Sequence, residues 1–163
     1  MVRALQAQPS DPDVAIRACT ALLSLATDDA NRVPIAEAGG IQAILNAMTS
    51  NAGNLDVNKH CCGALMSLTV NDANHGAMAA AGAIPVILKA MTAHVGHADL
   101  NHIGCTALAN LAVNTANQVT IAAAGAVLVI LSAITAHIGN SSVTDEYRGC
   151  RALEFPDRRE VRH

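Results

Sequence analysis

The sequence predicts an all-α fold in which helical repeats stack against one another, and three observations support this prediction. The chain aligns with itself when it is shifted by 43 residues, which is the signature of a repeat architecture. Apolar residues within each copy recur with the spacing of one helix face. The hydrophobic share is 52%, yet the chain has one Tyr, one Phe and no Trp. A core built from Ala, Leu, Ile and Val favours close helix packing over a strand-rich fold.

The repeat aligns without a gap, and several positions carry the same residue in all three copies. These positions are Cys19, Cys62 and Cys105; Ala21, Ala64 and Ala107; Leu22, Leu65 and Leu108; and Gly39, Gly82 and Gly125. From this register we expect the end of a preceding repeat and a loop over 1–13, repeat 1 over 14–56, repeat 2 over 57–99, repeat 3 over 100–142, the start of a further repeat over 143–153, and a non-repeat tail of basic and acidic residues over 154–163.

Each copy predicts three helices. In the first copy a long helix runs from about Val14 to Ala26, with apolar residues on one face. A short second helix ends near Ala38, where Gly39 is placed for a left-handed C-cap. The third helix runs from Ile41 to about Ser50, and Pro85 falls in the first turn of its counterpart, where a missing N–H does no harm.

Asparagines begin the short second helix of every copy. Asn31, with Asp28 and Asp29 beside it, supplies capping chemistry for that helix. Asn74 and Asn117 occupy the same position in the next two copies. We therefore predict that Asn31 and its two counterparts are structural caps.

These residues resemble the armadillo repeat family, of the importin-α and β-catenin type. The resemblance rests on a short helix, the run Gly82 to Pro85, an apolar helix, and a long helix of the form Ala-Leu-x-x-Leu. It implies a right-handed α-solenoid of stacked three-helix armadillo repeats. HEAT-like repeats with two helices per unit are the alternative, and the glycine between the second and third helices favours the armadillo type.

The resemblance also implies that the long helices line a concave surface that binds an extended peptide. The predicted partner-binding residues on this stripe are Arg17, Thr20, Ser24, His60, Ser67, Thr106 and Asn110. Importin-like repeats place a Trp here and an Asn four residues later, whereas this chain has no Trp and keeps the amide only at Asn110. The pattern therefore favours a small polar groove over nuclear-signal binding of the importin kind.

The cysteines do not predict a disulfide or a metal site. Cys19, Cys62 and Cys105 are equivalent residues on stacked helices, which lie roughly 8–10 Å apart, beyond disulfide reach. Cys61 adjoins Cys62 on one helix, so the two side chains diverge. All are expected to be small buried hydrophobic residues in a reducing compartment.

The histidines give no stronger signal for a metal. His94, His97 and His102 cluster around one loop, and His137 is equivalent to His94. Their spacing is poor for zinc, so we expect exposed loop imidazoles. No acid pair, nucleophile set or phosphate loop stands out, and we predict no enzyme activity, no cofactor and no metal.

Charge and hydropathy restrict the partners. A net charge of -3 gives no basic footprint for nucleic acid. The most apolar window, 121–134, is too short to span a membrane, and no signal peptide is visible, so we expect a cytoplasmic or nuclear protein. We predict a non-catalytic scaffold that binds a protein or peptide. The alternative is a structural spacer, or a fragment of a larger armadillo protein that self-associates through its uncapped repeat ends.

Overall fold

The computed structural model describes residues 1–137, and in that range the chain forms ten α-helices and no strand. The helices are α1 Val2–Ala7, α2 Pro12–Leu25, α3 Asp29–Glu37, α4 Gly40–Ser50, α5 Leu55–Leu68, α6 Ala73–Ala80, α7 Ala83–Ala93, α8 Ala98–Leu111, α9 Thr115–Ala123 and α10 Ala126–His137. The predicted start of a further repeat over 143–153 and the predicted tail over 154–163 lie outside the described residues. The all-helical prediction is confirmed for the described part of the chain.

Three helices of 14 residues each are the longest in the described part of the chain. They begin at Pro12, Leu55 and Ala98, which are 43 residues apart. Helix α5 packs against α2 on one side and α8 on the other, and these are the two most extensive helix contacts in the described structure. The helices α4, α7 and α10 form a second row, in which α7 contacts both α4 and α10. Packing of this kind is compatible with an α-solenoid.

A glycine in the left-handed region separates the second and third helices of every unit. Gly39, Gly82 and Gly125 have φ of 81°, 80° and 79°, a conformation that costs other L-residues about 1–2 kcal/mol. The chain bends by 72° between α6 and α7 and by 70° between α9 and α10. The predicted left-handed C-cap is present at all three glycines.

One apolar core runs through the described units from Leu5 in α1 to Ala126 in α10. Its large members are fully buried aliphatic side chains and methionines, such as Ile44, Leu65 and Met91. Each such side chain contributes roughly 1.5–3 kcal/mol relative to exposure. Since the core continues across unit boundaries, each unit depends on its neighbours for burial.

Candidate functional site

The predicted partner-binding residues lie on neighbouring long helices, on a surface that we call the long-helix surface. It comprises Arg17, Thr20 and Ser24 on α2, His60, Gly63 and Ser67 on α5, and Ile103, Thr106 and Asn110 on α8. The three α2 residues are exposed, whereas the side chains from α5 and α8 are half-buried and Gly63 is buried. Burial of Gly63 follows from its contact with α2, since a β-carbon at this position would lie 3.6 Å from Leu23 Cδ2.

Thr20 and His60 join the first two long helices at this surface. The Thr20 hydroxyl lies 2.7 Å from the Ile16 carbonyl oxygen, to which it donates, and 3.1 Å from His60 Nδ1. With that donor committed, the hydroxyl oxygen accepts from the Nδ1–H tautomer of His60. These two residues therefore hold the units together as well as lining the surface.

Other polar groups on the surface are also bound within the protein. Ser24 donates to the Thr20 carbonyl at 3.1 Å, and Thr106 donates to the His102 carbonyl at 3.0 Å. The Asn110 amide nitrogen donates to Thr69 Oγ1 at 3.0 Å. The amide that most resembles a peptide-gripping group is thus held by the preceding unit.

An ion pair between the second and third long helices lies at one edge of the surface. Lys59 Nζ is 2.8 Å from Asp99 Oδ2, and the two side chains are 43% and 73% exposed. The hydrogen bond and the charge of Asp99 raise the pKa of Lys59, and the same contacts lower the pKa of Asp99. Asp99 also lies in the first turn of α8, where a negative charge favours the helix dipole.

A separate polar position, one per unit, has a structural task. Arg32 Nε donates to the Ala26 carbonyl at 2.8 Å, His75 Nε2 to the Thr69 carbonyl at 2.7 Å, and Gln118 Nε2 to the Ala112 carbonyl at 2.9 Å. Each carbonyl belongs to the residue that ends the preceding long helix. Three different side chains thus donate to the equivalent carbonyl at the C-terminus of a long helix, which would otherwise have no helical partner. The buried imidazole of His75 therefore has a structural role.

The asparagines predicted as caps are structural, but they bind a different helix end. Asn31, Asn74 and Asn117 donate to the carbonyls of Leu25, Leu68 and Leu111, at 3.0, 3.0 and 3.1 Å. These carbonyls lie at the C-terminus of the preceding long helix. The N-terminal caps of the short helices α3 and α9 are Asp28 and Asn114. The asparagine lies beyond the cap, so its side chain reaches back across the turn.

The prediction of exposed loop imidazoles is wrong for His94 and His137. His94 is 9% exposed and donates from Nε2 to the Ala52 carbonyl at 3.1 Å, and His137 is 8% exposed and donates to the Val95 carbonyl at 3.1 Å. Both carbonyls belong to the loop of the preceding unit. Asn51 makes the equivalent bond to the Pro9 carbonyl at 2.9 Å. This contact between units has no counterpart within a single copy of the repeat.

The sequence analysis predicts no contact between Cys19 and Cys61, whereas the predicted burial of Cys19, Cys62 and Cys105 is confirmed. Cys19 and Cys61 have Sγ atoms 3.3 Å apart, and both residues are buried. The sulfur that faces Cys19 belongs to Cys61, one position before the equivalent residue Cys62. No sequence pattern within one copy of the repeat predicts the contact between Cys19 and Cys61. It could be predicted only if adjacent long helices were known to pack with an offset of one residue from the 43-residue period.

Comparison of the chain with protein-family models, curated proteins and solved structures returns no significant match. Within residues 1–137 no group of three or more His, Cys, Asp or Glu side chains could hold a metal ion. No single helix in that part of the chain is long and apolar enough to cross a bilayer. Two bent pairs, α6 with α7 and α9 with α10, reach the required length and composition only jointly.

Proposed function

We propose that this protein is an armadillo-type scaffold that binds an extended peptide along the long-helix surface and has no catalytic role. The supporting observation is the side-by-side packing of α2, α5 and α8, which brings the predicted binding residues onto adjacent helices. Three helices per unit, with a left-handed glycine between the second and third, favour the armadillo type over a two-helix repeat. The proposed location is the cytoplasm or the nucleus.

The chemistry of the surface suits a peptide backbone better than a charged signal. The hydroxyls of Thr20, Ser24 and Thr106 each donate to their own helix, so their remaining lone pairs can accept from peptide N–H groups. Among the described residues, neither Arg17 nor Ser67 has a side-chain hydrogen bond. Arg17 is exposed and would pair with a carboxylate on the peptide. We therefore expect ligands with an acidic residue near the α2 end of the surface.

Selection of peptides from a random library on the purified protein tests this proposal. The affinity of a selected peptide would be measured by calorimetry for the wild type and for the variants Arg17→Ala and Ser67→Ala. Losing a charged or hydrogen-bonded contact weakens binding by roughly tenfold or more. Gln42→Ala is the matched control, because Gln42 is exposed on α4 and bonds only Asn46. Equal losses in all three variants, or none in the first two, would rule out the long-helix surface as the binding site.

A second function, as a self-associating spacer, is favoured by the exposed apolar residues of the last described unit. Val119, Val127, Leu128 and Leu131 are each more than half exposed. At the opposite end, Val2, Leu22 and Ile35 line an apolar cleft of about 400 Å³ between α1, α2 and α3. Two different apolar ends permit a head-to-tail contact between copies.

Sedimentation velocity over a range of protein concentrations tests the second function. Self-association through the α10 end predicts a sedimentation coefficient that rises with concentration and that falls back in the variant Leu128→Gln. Arg17→Ala is the control and should leave association unchanged. A monomer at all concentrations removes this candidate and leaves the peptide-binding proposal intact.

A further inference from the structure

Two buried thiols lie close together between the first two long helices. The Sγ atoms of Cys19 on α2 and Cys61 on α5 are 3.3 Å apart, and both residues are 0% exposed. A disulfide has an S–S distance of about 2.05 Å, so bonding needs a closure of roughly 1.2 Å. The two helices are in direct contact along their length.

Among residues 1–137 there are two boundaries between long helices, and the pair occurs at the first of them. At the next boundary the counterpart of Cys61 is Gly104, which has no side chain to bond to Cys62. A β-carbon at Gly104 would lie 2.7 Å from Met91 Sδ. A cross-link could therefore join repeats 1 and 2 through these helices, but not repeats 2 and 3.

The residues next to each thiol connect it to the long-helix surface. Thr20 follows Cys19 and His60 precedes Cys61, and these two neighbours form the 3.1 Å contact described above. The thiols thus lie beneath a hydrogen bond that is itself part of the proposed binding surface. A bond between the sulfurs would fix the separation of α2 and α5 where that surface begins.

We propose that Cys19 and Cys61 are a reversible modification site, at which hydrogen peroxide oxidises the two thiols to an intramolecular disulfide. One thiol sulfur attacks the peroxide, the O–O bond breaks, and a sulfenic acid and water are formed. The second sulfur attacks the sulfenic sulfur, the S–O bond breaks, and a second water leaves as the S–S bond forms. Two thiol hydrogens and two electrons pass to the peroxide, and small thiols reverse the reaction.

The folded environment controls the rate of this reaction. The hydrogen bond with Cys19 and burial raise the pKa of Cys61, so the reactive thiolate is scarce while the interface is closed. Oxidation then depends on transient separation of α2 and α5. We expect it to be slower than the oxidation of an exposed thiol.

Mass spectrometry of peroxide-treated protein tests the proposal. The parent protein for this experiment carries Cys150→Ser, which removes the fifth cysteine. Its free thiols are blocked before digestion. Trypsin should then release residues 18–32 disulfide-bonded to residues 60–89, with a loss of two hydrogens. Because the second peptide contains Cys61 and Cys62, fragment ions that separate these neighbours identify the bonded sulfur in the parent protein.

Two variants provide matched controls. Cys61→Ala should lower the yield of the linked peptide by at least about tenfold, whereas Cys62→Ala should retain it, since only the former removes the sulfur facing Cys19. Circular dichroism establishes that each variant is folded. The oxidised parent should melt on the order of 5–10 °C higher than the reduced form, because the bond closes a chain segment of 42 residues. Dithiothreitol should abolish that difference.

Three results would overturn the proposal. One is a disulfide between Cys19 and Cys62, instead of Cys61, in the parent protein. Another is oxidation of Cys19 or Cys61 to sulfinic acid without a linked peptide. The third is no linkage in the folded protein under conditions that oxidise the urea-unfolded chain.

Discussion

The third helices of the second and third units, α7 and α10, have similar sequence patterns but different environments. The equivalent pairs are Ile84 and Val127 at 0% and 62% exposure, Leu88 and Leu131 at 4% and 53%, and Met91 and Ile134 at 0% and 39%. Helix α7 contacts α4, α8 and α10, so it is enclosed by units on both sides. Helix α10 packs on α7, α8 and α9 and exposes its remaining surface. Apolar periodicity therefore indicates which side chains could be buried, but burial itself depends on a neighbouring unit.

The largest expected effect tests that difference with one substitution at two equivalent positions. Leu88→Ala should reduce the free energy of unfolding by about 2–5 kcal/mol, because it removes a buried side chain and leaves a cavity. Leu131→Ala should cost less than about 1 kcal/mol, because that side chain is already about half exposed. Urea denaturation followed by circular dichroism measures both. Equal losses would show that α10 is covered in solution, contrary to its exposure in the structure.

A smaller effect is expected where the enclosed helix α7 meets α8. Gly104→Ala would place a β-carbon 2.7 Å from Sδ of the fully buried Met91. Overpacking of about 1–3 kcal/mol should exceed the gain of up to about 1 kcal/mol from helix propensity. Gly63→Ala is the control, because its β-carbon would meet Leu23 at an ordinary 3.6 Å, and we expect it to be neutral or stabilising. Chemical denaturation should therefore show a loss of stability for Gly104→Ala and none for Gly63→Ala, and a stabilising Gly104→Ala would contradict the close contact.

Substitutions at the turn glycines distinguish the cost of backbone strain from the effect of burial by a neighbouring unit. Gly82→Ala and Gly125→Ala should each cost about 1–2 kcal/mol, because both positions have positive φ. Neither β-carbon would meet another atom within 4 Å. The cost should therefore be the same before the enclosed α7 and the exposed α10, unlike the leucine pair. Thermal or urea unfolding that gave a much smaller loss at Gly125 would indicate that the last unit unfolds separately.

The smallest effect concerns the exposed Lys59–Asp99 pair between the second and third units. The pKa of Asp99 is lowered by Lys59, so its contribution is present above the usual carboxyl pKa and is lost as pH falls through the lowered pKa. The pKa of Lys59 is raised, so its contribution is lost only as pH rises through that raised value. With Asp99 73% exposed, solvent screening keeps the total within about 0–1 kcal/mol.

The pH dependence of Asp99→Asn would be compared with that of Asp13→Asn. Asp13 also lies in the first turn of a long helix, but the structure gives it no ion pair within the described residues. Unfolding measured from pH 7 downwards should show a small loss for Asp99→Asn at pH 7 that diminishes as the pH falls through the lowered pKa of Asp99. The same loss in both variants would assign the effect to the helix dipole instead.

Prediction from sequence succeeded for features that depend only on residues within one copy of the repeat. The glycine triplet led to three left-handed turns, and the spacing of apolar residues led to the helix faces. It failed for His94, His137 and Cys61, whose partners lie in another unit. The partner-binding residues were placed on adjacent helices, yet the internal bonds of Asn110 and Thr20 could not be predicted. Those bonds depend on how far one helix slides along the next.

The sequence alone determined the helix content, the period and the positions of the turns, because periodicity and glycine conformation are local properties of the chain. Tertiary structure decided which residues meet between units. These contacts join non-equivalent positions, as in the 42-residue separations of Cys19 with Cys61 and of His94 with Ala52. The offset depends on how one unit packs against the next, which a 43-residue period does not specify.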